Sequence, residues 1–136
     1  MILVDTSVWV DHLRAGDMAL AALLDKAMVL AHPYVTGELA LGQLRQRDAV
    51  LGALLDLPQA TVATDREVLN VIARHGLFGL GIGYIDAHLL AAVQLTAGAS
   101  LWTRDKRLHG AAVRLGLAAS TPYTVVADDD RTAKPS

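Results

Sequence analysis

Apolar positions along the chain fall into two spacings, short continuous runs and longer stretches with helical repeat. Residues 2–4 (Ile2, Leu3, Val4) make a short run that suits a strand buried on both faces, and Asp5 ends it abruptly. Thr6 and Ser7 are placed to cap a helix that buries Val8, Trp9 and Leu13. Residues 17–28 repeat helically through Leu20, Leu23, Leu24 and Ala27, with Asp17 as the cap. Residues 29–31 predict a second strand. His32-Pro33 then predicts a helix start, since proline is well tolerated at the first helical position. That helix carries Val35, Glu38, Leu39 and Leu41. Residues 49–57 predict a short helix stopped by Pro58, and 60–63 a third strand. Residues 65–74 predict a helix capped by Asp65 and ended by Gly76. The glycine-rich stretch 76–83 follows a helix rather than a strand, so it reads as a tight connection and not as a dinucleotide loop. Residues 84–97 predict the most apolar helix, 100–103 a fourth strand, 106–115 a helix capped by Asp105, and 123–126 a last strand.

Strands alternating with helices imply an α/β fold, a parallel sheet of about five strands covered on both faces. No internal repeat or linker divides the 136 residues, so one domain is expected over residues 1–127. Residues 128–136, which include Asp128-Asp129-Asp130, are expected to form a polar, disordered tail.

Composition narrows the chemistry. Hydrophobic residues make up 53%, enough for a sizeable core and too many for a disordered chain. The absence of cysteine removes disulfides, thiolate zinc sites and thiol catalysis. No apolar run approaches the roughly 20 residues of a membrane span. The first apolar run is too short for a signal peptide, so a soluble cytoplasmic protein without membrane contact is expected. A net charge of −2 offers no broad basic face, so a polyanionic ligand would need a local basic patch or bound cations.

Asp5, Glu38, Asp86 and Asp105 interrupt apolar or helix-start contexts. Asp5 and Asp105 lie just past the carboxyl ends of two predicted strands, where open α/β sheets place their ligands. Asp86 sits on a helix that is apolar nearly all round, where an ionised carboxylate is costly unless paired or metal-bound. Each acid also has a plainer reading. Asp5 and Asp105 can cap helices, Asp86 can answer a helix dipole, and Glu38 can be an exposed helix flank. If the first and fourth strands are neighbours, Asp5 and Asp105 face one crevice. Two such charges about 4 Å apart repel by about 4 kcal/mol at an effective dielectric near 20. Oxygen-only donors select hard ions such as Mg²⁺ or Mn²⁺, whose chemistry suits phosphodiester hydrolysis. Arg104, Lys106, Arg107 and Arg114 form the best local basic cluster for RNA phosphates, with solvated helix charges as the alternative. His12 and His109 read as surface or core histidines, and Trp9 and Trp102 as core. His88, two residues from Asp86, points to a different helix face.

Four blocks carry a family resemblance: Leu3-Val4-Asp5-Thr6-Ser7, His32-Pro33 through Gly37-Glu38-Leu39, Gly83-Tyr84-Ile85-Asp86-Ala87-His88-Leu89, and Leu101-Trp102-Thr103-Arg104-Asp105-Lys106-Arg107-Leu108. In that order the chain resembles the PIN-domain ribonucleases, and among them the VapC toxins of bacterial toxin–antitoxin pairs. The resemblance implies a three-layer PIN-like fold with strand order 3-2-1-4-5 and metal-binding, catalytic acids at Asp5, Glu38, Asp86 and Asp105. It places Thr6, Ser7 and Thr103 near the site, able to hold water or a neighbouring acid. It further implies a Mg²⁺- or Mn²⁺-dependent endoribonuclease, a VapB-type antitoxin that inhibits it, homodimers, and contact with DNA only through the antitoxin. Two rival readings differ in kind. A phosphoacceptor receiver domain needs paired acids after the first strand, where this chain has Asp5-Thr6-Ser7. A non-catalytic PIN-like binder would act only through its antitoxin. Metal-dependent cleavage of RNA separates an enzyme from a binder.

Overall fold

The computed structural model describes residues 1–120. The last predicted strand, 123–126, and the polar tail, 128–136, lie outside the described residues. The elements in chain order are β1 (Ile2–Val4), α1 (Thr6–Ala15), α2 (Met18–Asp25), β2 (Val29–Leu30), α3 (Pro33–Ala40), α4 (Arg47–Asp56), α5 (Asp65–His75), α6 (Tyr84–Leu95), β3 (Ser100–Trp102) and α7 (Lys106–Arg114).

Among the described residues the sheet has three parallel strands, in the order β2-β1-β3. Leu3 pairs with Leu30 on one side and with Leu101 on the other, so β1 is central. The sequence reading expected a full strand at 60–63. The chain there makes only an isolated parallel bridge, Ala31 with Gln59. Pro58 has no N–H to add to a ladder, and the Thr61 amide donates instead to Thr96 Oγ1 at 3.0 Å. A second isolated parallel bridge, Leu101 with Ala118, lies against the opposite edge.

The core surrounds the central strand. Leu3, Val4, Leu20, Leu89, Leu90, Leu101 and Trp102 are fully or almost fully buried. Every residue of α6 from Ala87 to Val93 is buried, as its all-round apolar pattern requires. Leu and Val on both faces of β1 give a strand with no solvent face. None of the described helices is long and apolar enough to cross a membrane.

Two expected caps are assigned to other residues. Asp5, not Thr6 or Ser7, occupies the N-cap position of α1, and its side chain makes no capping bond. Thr64 caps α5 in a reciprocal box with Glu67, at 3.1 and 2.8 Å, and Asp65 is the first helical residue. Asp17 and Asp105 do cap α2 and α7, and His32 caps α3 ahead of Pro33.

Candidate active site

Sheet topology decides what Asp5 meets. Because β1 and β3 are neighbours, the chain leaves both strands at the same edge, and the Asp5 amide donates to the Trp102 carbonyl at 2.9 Å. The buried Asp5 carboxylate therefore lies beside Thr103. Its Oδ2 accepts from Thr103 Oγ1 at 2.8 Å and from Ser7 Oγ at 2.9 Å. Two hydroxyl donors on one oxygen fix that carboxylate and leave its other oxygen available. Ser7 and Thr103 are fixed in turn. The Arg104 amide donates to Ser7 Oγ at 3.0 Å, and the Asp105 amide to Thr103 Oγ1 at 3.1 Å. Thr6 turns the other way and donates to Glu38 Oε1 at 2.6 Å, which joins α1 to α3.

Asp86 and Asp105 begin helices. Asp86 Oδ2 accepts from the Gly83 amide at 3.1 Å. Asp105 Oδ1 accepts from the amides of Arg107 and Leu108 at 2.9 and 3.0 Å. Both thus perform the capping that an acid at such a position offers. Capping uses one oxygen, so it does not remove either carboxylate from a site.

The electrostatics tie the four together. Burial raises the Asp86 carboxyl above its ordinary value, and the charges of Asp5, Asp105 and Glu38 raise it further, outweighing the Gly83 hydrogen bond. Asp86 is thus within electrostatic reach of Asp5 after β1, Glu38 on α3 and Asp105 after β3. Among the described residues no three acids or histidines are already drawn together as a metal cage. The constellation is open, all-oxygen and surplus in negative charge, a donor set that fits a hard divalent cation retaining several waters.

The basic cluster divides. Arg104 is not free for a ligand: its guanidinium pairs with Asp11 Oδ2 at 2.6 Å and with Asp17 Oδ2, and it lies over the Trp102 ring. Arg114 donates to the carbonyls of His75 and Gly76 at the end of α5. Lys106 and Arg107 remain exposed on the first turn of α7. Arg107 lies against Gly81, where an added Cβ would come within 2.7 Å of its Nη1.

A cluster of two buried histidines and two exposed tyrosines, at the starts of α3 and α6, escaped the sequence reading. His88 Nε2 lies 3.1 Å from Asp65 Oδ1, which also accepts from the Tyr84 hydroxyl at 2.8 Å. Tyr34 and Tyr84 meet the His88 ring edge-on at 4.7 and 4.8 Å, and His32 packs on Tyr34. The available signal was Tyr84 at i and His88 at i+4 on one helix face. Their partner Asp65 lies on another helix and could not be assigned from spacing.

Comparison with known proteins shows the family. The family model described as PIN domain matches residues 2–113. Proteins called Ribonuclease VapC32, from two strains of Mycobacterium tuberculosis, are each 52% identical over 118 residues, which span 87% of this chain and 95% of theirs. All four acids fall inside the matched PIN segment, at the carboxyl edge of its sheet or on the helices that face it, and the chain belongs to the PIN-domain family, among the VapC ribonucleases.

Proposed function

We propose that this protein is the toxin of a type II toxin–antitoxin pair, an endoribonuclease that hydrolyses RNA phosphodiester bonds with Mg²⁺ or Mn²⁺ and so arrests translation and growth. The observation that supports the site assignment is the raised carboxyl of half-buried Asp86, lifted first by burial and then by the charges of Asp5, Asp105 and Glu38. Such a cluster is stable only when protonated or matched by cations. Asp5, Glu38, Asp86 and Asp105 would hold the ion. When bound, a divalent ion stabilises charge on the phosphoryl group and makes water a better nucleophile.

The chain's own residues do the rest. Ser7 and Thr103 fix Asp5 through their hydroxyls, so its position costs no reorganisation when substrate arrives. Thr6 does the same for Glu38. Asp105 anchors the start of α7 and thereby orients Lys106 and Arg107, the cations exposed beside the crevice. Those two would meet RNA phosphates, while Arg104 is spent on Asp11 and Asp17.

The finer assignments belong to the same reading: a VapB-type antitoxin as inhibitor, a homodimer, DNA contact only through the antitoxin, and a cytoplasmic site of action. The two isolated bridges flank β2 and β3, a placement that supports a five-stranded order 3-2-1-4-5, and a domain ending near residue 127 belongs to the same reading.

The test is direct. Full-chain protein freed of antitoxin should cut single-stranded RNA in Mg²⁺ or Mn²⁺, stop in EDTA, and be inactive as Asp5→Asn. Undiminished cleavage in EDTA would remove the metal from the mechanism. No cleavage of any RNA with either ion would favour a binding protein.

A further inference from the structure

A cavity of about 570 Å³ opens between α1, α3 and α4, and the hydrogen-bonded pair Thr6 and Glu38 is part of its lining. Glu38 in its lining sets it beside one of the four acids proposed to hold the ion. Its size is that of a small-ligand site. The floor is apolar, with Leu13, Leu39 and Val50. The rim is the turn joining α3 to α4, which carries Gln43, Arg45 and Gln46. Gln46 holds a left-handed backbone, φ 52 and ψ 49, as the N-cap residue of α4, and its side chain makes no capping bond. Its amide is thus free of the usual work of that position.

We infer that this cavity receives an unpaired nucleobase of the RNA, one that flanks the cleaved bond, and so sets sequence preference. This inference rests on the ribonuclease reading above. An apolar floor matches the face of a base, and carboxamides match its edge because each can donate and accept. Arg45 supplies a guanidinium for the neighbouring phosphate or for stacking on the base. A base can enter only when it is out of a stack, so the cavity selects loops and single strands over duplex. Nothing in the acid cluster itself distinguishes one base from another, whereas this cavity can.

The experiment uses full-chain protein, Mn²⁺ and a randomised single-stranded RNA library, with cut ends sequenced. Wild type should show a base enriched at one position beside the cut. The double variant Gln43→Ala with Gln46→Gly, and separately Val50→Phe to fill the floor, should lower that enrichment at least about fivefold while cutting continues. Gly at position 46 relieves the left-handed backbone as it removes the side chain. An oligonucleotide made abasic at the preferred position should bind wild type at least about fivefold more weakly than the intact strand. Wild-type cutting without base preference, variants with the wild-type preference, or equal binding of the abasic strand would each overturn the assignment. Variants that keep the preference but no longer co-purify with the antitoxin would give the cavity to a protein segment and overturn it too. Absence of all cutting by wild type would instead strike the ribonuclease reading.

Discussion

Asp86 and Asp105 are both helix-start acids, yet their surroundings set them different tasks. Asp86 is half-buried, is opposed by three like charges and accepts one backbone amide. Asp105 is exposed and accepts two. A carboxyl raised in the fold destabilises the folded state above its folded value, because the unfolded chain ionises more readily. Asp86→Asn should therefore melt at or above the wild-type temperature when metal is absent, while losing nearly all cleavage. Asp105→Asn can still cap α7 and should retain more activity. Asp105→Ala should lose about 1 kcal/mol with the cap. Melting temperatures and cleavage rates, with and without Mn²⁺, distinguish these outcomes. Wild-type cleavage by Asp86→Asn would overturn the site, and an unfolded Asp86→Asn would make that residue structural. The acids were legible in the sequence because each breaks an apolar or cap context. The Asp5 clamp by Ser7 and Thr103 was legible only as a neighbourhood, since Thr103 lies far along the chain and reaches Asp5 through the pairing of β1 with β3.

Among the elements, α1, α2 and the end of β3 are joined by a single side chain. Arg104 reaches Asp11 on α1 and Asp17 at the cap of α2, with its guanidinium over Trp102. Burial pushes Asp17 up, but hydrogen bonds from Arg104 and the Leu20 amide prevail and hold it below its ordinary value. Removing the cation would leave Asp17 without its ion pair and Asp11 with only Arg14. Arg104→Ala should cost about 2 kcal/mol of stability and leave the salt dependence of RNA binding unchanged. Arg107→Ala should do the reverse, reducing the salt slope by about 1 and changing stability by less than about 0.5 kcal/mol. Urea unfolding and RNA affinity across a salt series measure both, and a steep loss of slope with Arg104→Ala would return that residue to the RNA surface. A one-dimensional reading ranks these arginines together because they are close in sequence. Only the tertiary placement of Asp11 and Asp17 separates them. The same limit explains α5. Asp65 and Thr64 are both good caps, and what decides between them is Glu67 three residues beyond Thr64 and the pull of Tyr84 and His88 on Asp65. Residues 60–63 make no full strand because pairing with the Ala31 edge stops after the Ala60 amide, and the Thr61 amide bonds the Thr96 side chain instead.

For the whole molecule, one buried imidazole, His32, links stability to acidity. His32 is fully buried at the start of α3, where Nδ1 accepts from the Tyr34 amide at 3.0 Å. Accepting at Nδ1 requires that nitrogen to be unprotonated, so the cap works only with the neutral ring. Burial, and then the nearby His88, lower its pKa from 6.5 to about 4. The unfolded chain takes up a proton as pH falls through 6.5, and the folded chain resists until about 4. Across that interval the unfolded state binds more protons, so His32 makes the fold less stable as pH falls, and its contribution levels off below about 4. His32→Asn preserves a cap acceptor without a titrating ring. Its stability should be less steep than wild type between 6.5 and about 4, whatever its absolute value at neutral pH. Unfolding midpoints in urea, taken at intervals across that range for both proteins, give the slopes. Equal slopes would mean that His32 is protonated alike in the folded and unfolded chains, and that the α3 cap survives a charged ring.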